Sequence, residues 1–112
     1  MQTYRDLCGA LKAVGVPYAR IQWDLCDGES PPPLPHALLV PETTIDRVAG
    51  NRQVCKYTPY TVELYERGSG DMTLEGKFEE ELALAGFIFV RRCVPLGENV
   101  VEMAYSVTCT GR

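Results

Sequence analysis

The chain has 112 residues, of which 46% are hydrophobic and 23% are charged, and its net charge is −4 at pH 7. These values predict one globular domain with a single core, spanning residues 1–112. No apolar run approaches the ~20 residues of a membrane-spanning helix, and the first residues do not resemble a signal peptide, so we expect no membrane contact. The acidic total argues against sequence-specific nucleic-acid binding, which normally uses a basic surface.

The first predicted element is an amphipathic helix that ends near residue 14. Thr3 is the predicted N-cap, and Gly15 is the predicted C-terminal stop. Four residues at helical spacing form the apolar face: Tyr4, Leu7, Leu11 and Val14.

Two extended segments follow, separated by a proline-rich connection. Residues 16–21 (VPYARI) predict an edge strand, because Pro17 cannot donate to a central ladder. Residues 24–35 (DLCDGESPPPLP) predict an exposed polyproline-like loop, with a ligand for an aromatic-lined groove as the alternative. Residues 36–42 (HALLVPE) predict a buried strand.

Residues 42–56 (ETTIDRVAGNRQVCK) are polar and rich in turn-forming residues. They predict a long hairpin connection that ends where the chain enters a strand from about Val54 to Glu66. Pro59 interrupts this strand, so its first half is predicted to lie at a sheet edge or a bulge. Loops of this length inside a compact domain are more often functional than idle.

Side chains of the strand around residues 60–65 alternate between two faces, and a second helix follows this strand. Gly68 and Gly70 are predicted to end the strand, and Asp71 is the predicted helix N-cap. Gly86 is the predicted left-handed C-terminal cap. The apolar face of this helix consists of Leu74, Phe78, Leu82 and Ala85.

A final hairpin closes the chain. Residues 87–96 (FIFVRRCVPL) and residues 100–110 (VVEMAYSVTCT) predict two strands joined by the turn GEN. The element order is therefore α-β-β-β-α-β-β. This order predicts an α+β fold in which a mostly antiparallel sheet carries two helices packed on one face.

The sequence contains no set of residues that is typical of a catalytic site. His36 is the only histidine and has no nucleophile motif around it, and there is no phosphate-binding loop. Glu79, Glu80 and Glu81 are consecutive on a helix and predict a solvated face, whereas Arg91 and Arg92 predict a strip that meets a carboxylate. We therefore predict no enzyme activity, no catalytic residue and no cofactor.

The cysteines give no metal-binding pattern. Their spacing is wide and contains no C-x-x-C, which predicts free thiols and no metal site. The acidic stretch DLCDGE lacks the remaining oxygen ligands of an EF-hand loop. The five cysteines are Cys8, Cys26, Cys55, Cys93 and Cys109.

Residues 60–111 resemble the small neck and tail-completion proteins of long-tailed bacteriophages and their prophages. In that family an ELY strand is followed by a Gly/Lys/Asp turn, an acidic helix and a two-stranded hairpin. The matching residues are Tyr60–Tyr65, Asp71, Leu74–Leu82 and Val100–Thr108. The first helix and the two extended segments agree in order, so the likeness covers most of the chain. The proline-rich loop and the cysteines depart from the family pattern.

The resemblance implies a tail-terminator-like or head–tail joining subunit, a virion component assembled in the cytoplasm of the bacterial host. Such a subunit forms a ring, commonly a hexamer, that caps the tail tube and docks it to the head connector. It has no cofactor and no catalytic residue. The alternative is a small cytosolic ligand-binding or accessory domain that uses the sheet face.

If the chain forms a ring, the long polar segment Thr43–Gln53 is predicted to contact the neighbouring subunit. Its charges are of both signs, so they can pair across a repeated head-to-tail interface. A mobile, solvated connection is the alternative interpretation. The predicted interface residues are Asp46, Arg47, Asn51 and Arg52.

Overall fold

Two helices and six strands make up the described part of the chain in a computed structural model. This part comprises residues 2–23, 25, 28–42, 45–49, 52–67 and 73–110, with the backbone alone for 45–49 and 52–56. The elements are α1 (Tyr4–Val14), β1 (Tyr18–Arg20), β2 (His36–Pro41), β3 (Ile45–Ala49), β4 (Arg52–Arg67), α2 (Thr73–Leu84), β5 (Val90–Gly97) and β6 (Val100–Thr110).

The strands form one mixed sheet in the order β1-β2-β4-β6-β5, and β3 pairs with the first part of β4. Only the β1–β2 pair is parallel among the described strands. Tyr57 in β4 pairs with Ile45 of β3 and with Thr110 of β6. Because a strand has two edges, β3 lies on the same side of β4 as β2 does. The predicted α+β class and the mostly antiparallel sheet are confirmed.

The strand β3 corrects the predicted element order. The sequence predicts a connection through residues 43–53, whereas Ile45–Ala49 forms an antiparallel ladder with β4, and β4 begins at Arg52 rather than near Val54. A strand that pairs at a sheet edge needs no continuous apolar face. The polar composition of β3 therefore gives no hydrophobic pattern from which a strand could be predicted. The observed order is α-β-β-β-β-α-β-β.

Pro59 is accommodated where the partners of β4 change. Along one edge of β4, β3 pairs with residues 52–57 and β2 pairs with residues 60–65. Pro59 lies between these two ladders and accepts a backbone hydrogen bond from the N–H of Glu42 (2.8 Å). Pro59 has no N–H to donate in return, so the pairing along this edge is interrupted at Pro59, where the partner of β4 changes from β3 to β2.

Both helices cover one face of the sheet, as predicted. Alternate residues of β2, β4 and β6 are buried on this face, and α1 and α2 supply the opposing side chains. The largest fully buried side chains are Leu7, Leu11, Leu39, Val62, Leu64, Phe78, Leu82 and Tyr105. The predicted buried strand is β2, whose Ala37 and Leu39 are fully buried on this face, while its other residues are half-buried on the side that the helices leave uncovered.

The caps of α1 follow the predicted residues. Thr3 and Asp6 form a capping box, in which the Asp6 N–H donates to Thr3 Oγ1 (3.2 Å) and the Thr3 N–H donates to Asp6 Oδ2 (3.0 Å). These hydrogen bonds lower the pKa of Asp6. Gly15 and Gly86 adopt the left-handed conformation predicted for them, with φ of 86° and 89°. Gly68, Gly70 and Asp71 lie outside the described residues.

Candidate interaction surfaces

The first surface is the β3–β4 hairpin, formed by Ile45–Ala49 and residues 52–57. Two predicted interface residues, Asp46 and Arg47, lie in β3, and Arg52 opens β4 opposite Ala49. The structure thus brings these three positions into one two-stranded ladder. Asn51 lies outside the described residues.

The hairpin extends past the rest of the sheet. The strand β6 begins to pair with β4 at Tyr57, and β2 begins at Tyr60. Residues 52–56 therefore have β3 as their only strand partner within the described part of the chain. An extended two-stranded ribbon offers unpaired backbone groups along its edges, and such edges are templates for pairing with another chain.

The second surface is the outer edge of β5, at the opposite end of the sheet from β1. Three large apolar side chains around the α2–β5 connection are strongly exposed: Leu84 at 79%, Ile88 at 91% and Val90 at 70%. Single exposed apolar residues are ordinary, whereas several within seven residues beside an open strand edge mark an interaction surface.

A partly exposed polar contact links β5 and β6 to α2. Arg91 Nη1 donates to Glu79 Oε2 at 2.6 Å, and the Tyr105 hydroxyl donates to the same oxygen at 2.9 Å. Burial, and then the Glu79 carboxylate, raise the pKa of Tyr105. The carboxylate also raises the pKa of Arg91. The prediction that the arginine strip meets a carboxylate is correct for Arg91.

Glu79 is predicted to lie on a solvated helix face, and its side chain is 26% exposed, but it also has two strand partners, Arg91 and Tyr105. It lies one turn from Glu75 on α2, on the side that meets β5 and β6. Helical spacing alone does not reveal this role, because the partners come from strands that follow later in the chain. Through these hydrogen bonds Glu79 connects α2 to the edge strand β5 and to β6.

The third surface is the open face of the sheet, which the helices leave uncovered. Directly paired residues share a face, so His36, Tyr65, Glu102 and Val94 form one row across β2, β4, β6 and β5. The next row contains Leu38, Glu63, Ala104 and Arg92. The two rows thus place the carboxylates of Glu63 and Glu102 on the same face as the rings of His36 and Tyr65.

An aromatic group lies at the β2 end of this face. The rings of Trp23 and His36 meet edge to face with centroids 5.3 Å apart, and the rings of His36 and Tyr65 are 5.5 Å apart. The Tyr65 hydroxyl donates to Glu63 Oε1 at 2.7 Å. Burial and the neighbouring carboxylates raise the pKa of Tyr65. Aromatic faces beside carboxylates are suited to a cationic group.

The described cysteines and the histidine make no catalytic arrangement. Cys8, Cys93 and Cys109 carry free thiols, and burial raises the pKa of Cys109 to about 11. The ring of His36 hydrogen-bonds through Nδ1 to the Pro32 carbonyl oxygen at 2.9 Å. Within the described residues, no group of three or more metal-binding side chains comes together. Cys26, like Asp24 and Asp27, lies outside them, and so does the side chain of Cys55.

Comparison with protein-family models and with curated proteins finds no match. Neither described helix has the length and hydrophobicity required to cross a membrane.

Proposed function

We propose that the chain is a structural subunit that works through ring-forming self-association, as a tail-terminator or head–tail joining protein of a long-tailed bacteriophage or prophage. The observation that carries the proposal is the position of the outer edges of β3 and β5, which have no strand partner within the described residues. The outer edge of β3 lies on the β2 side of β4, and the outer edge of β5 lies at the opposite end of the sheet.

Two different surfaces on opposite sides of a subunit suit a head-to-tail ring. In such a ring each copy offers one surface to the complementary surface of the next, and a suitable rotation closes the ring. The resemblance of residues 60–111 to phage neck and tail-completion proteins supports the same class. The tail tube and the head connector are then the partners, and the chain acts without a cofactor or a catalytic step in the cytoplasm of the host.

Light scattering after gel filtration, together with electron microscopy, tests this proposal. We expect closed rings of one discrete mass, with a hexamer as the favoured number, either for the purified chain alone or after addition of purified tail tubes. Some ring subunits assemble only in the presence of the tail tube, so the mass is measured both without and with tail tubes. A chain that stays monomeric alone and leaves tube ends unoccupied would refute the proposal.

A second candidate function rests on the open face. An aromatic group next to two carboxylates is suited to a small domain that binds a cationic ligand. The aromatic residues are Trp23, His36 and Tyr65, and the carboxylates belong to Glu63 and Glu102. Trp23 is the only tryptophan, so its fluorescence should respond to titration with L-arginine or a quaternary ammonium compound if this function holds. A monomer that binds such a compound would favour this candidate over the ring.

A further inference from the structure

We infer that the outer edge of β5 in one copy pairs with the outer edge of β3 in the next copy, so that a continuous sheet runs around the ring. This inference rests on the proposed ring function and names the contact that would build the ring. Addition of a strand to an open edge is a common mode of protein recognition, because backbone hydrogen bonds supply affinity.

The lengths of the two edges agree. Pro95 has no N–H and limits pairing along β5 to the residues before it, Val90–Val94. The strand β3 runs over five residues, Ile45–Ala49. The other open strand, β1, has three residues and is followed by Ile21 at a φ of 72°, so it offers a shorter edge.

The charges of the two surfaces are complementary. Glu80 and Glu81 lie four and three residues before the exposed Leu84 on α2, so they flank it on the helix surface. On β5, Arg91 is paired with Glu79, which compensates its charge, and Arg92 reduces the charge contributed by Glu80 and Glu81 to a net −1. The β3–β4 hairpin has a net charge of +2 in the sequence, from Arg47, Arg52 and Lys56 against Asp46. A basic ribbon against an acidic rim is favourable.

The same features disfavour a two-fold contact between two copies of β5. Such a pairing would bring Arg92 of both copies together, and like charges opposite each other destabilise a strand pair. The strand β3 carries Asp46 next to Arg47, so a contact between β5 and β3 allows a register with Arg92 opposite Asp46 and leaves the second edge of each copy free. The free edges allow a ring to grow and close.

Two variants, each altering one side of the contact, test the pairing. Val90→Lys places an ammonium group at the β5 edge, and the hairpin variant carries Arg47→Glu with Arg52→Glu. Both changes affect the proposed contact and leave the described core intact. We expect each variant to assemble only at a protein concentration at least about tenfold higher than the parent requires. The circular dichroism of each variant should be unchanged. Leu96→Lys is the matched control, because it adds the same charge to β5 beyond Pro95.

Mixing the two variants gives a sharper result. The intact hairpin of the Val90→Lys copy fits the intact β5 edge of the hairpin variant, so the mixture should form one-to-one dimers, or larger assemblies through the oppositely charged altered surfaces, at concentrations at which neither variant assembles alone. A β5–β5 contact predicts no such dimer. If the parent forms rings and both variants do so equally well, this pairing is wrong while the ring function stands. If the parent forms no ring alone or on tail tubes, both proposals fail.

Discussion

At the scale of single residues, Glu102 has an environment that opposes its charge. Burial and the nearby Glu63 carboxylate raise its pKa, and the Arg92 charge and the Tyr65 hydroxyl oppose this shift without cancelling it. A raised pKa means that the folded protein binds the proton more tightly than the unfolded chain does. The ionised carboxylate therefore reduces stability above the raised pKa, and this penalty disappears as the pH falls below it.

We predict that Glu102→Gln stabilises the protein at pH 7 and that this gain vanishes by about pH 4, below the ordinary carboxyl pKa of 4.5. Glutamine has nearly the same shape as glutamate and carries no charge, so the comparison isolates the effect of the charge. Urea unfolding of both proteins at the two pH values measures the difference. Glu80→Gln, at an exposed position of α2, is the control and should change stability little. An equal gain at both pH values would show that charge is not the cause.

At the scale of elements, α2 covers the core through few side chains. Phe78 is fully buried and meets the Tyr105 ring edge to face at 5.1 Å. We predict that Phe78→Ala lowers the free energy of unfolding by roughly 3–5 kcal/mol, because it removes a large apolar side chain and leaves a cavity. Leu84→Ala on the same helix should cost less than about 0.5 kcal/mol, since this side chain is exposed. A loss below about 1 kcal/mol for Phe78→Ala would mean that α2 does not close the core.

The elements also show which features local sequence patterns can predict. The caps of α1 at Thr3 and Gly15 depend on neighbouring residues only, and they were predicted correctly. The strand β3 depends on pairing with β4, and the roles of Glu79 depend on Arg91 and Tyr105, which follow α2 in the chain. Such contacts between distant segments leave no periodic signal. The hairpin was predicted as an interaction surface from its length and charge, but the β5 edge emerged only from the strand order.

At the scale of the whole molecule, the first and last described residues are hydrogen-bonded to each other. The Thr110 N–H donates to the Gln2 carbonyl oxygen at 2.7 Å, and Gln2 Nε2 donates to the Gly86 carbonyl oxygen at 3.0 Å. The core cluster contains side chains from both helices and from β2, β4 and β6, so no described segment has a core of its own. A structure of this kind is expected to unfold as one unit.

We predict that two probes at different places report the same unfolding transition. Trp23 fluorescence reports the β1–β2 side of the sheet through its contact with His36, and far-ultraviolet circular dichroism reports the helices. Urea unfolding is followed with both probes at a concentration low enough to keep single copies, because assembly would shift the midpoint. The two midpoints should coincide, since β2 contributes Ala37 and Leu39 to the same core that α1 and α2 cover. An earlier fluorescence transition would mean that the β1–β2 edge opens independently of the core, as weakly packed units do.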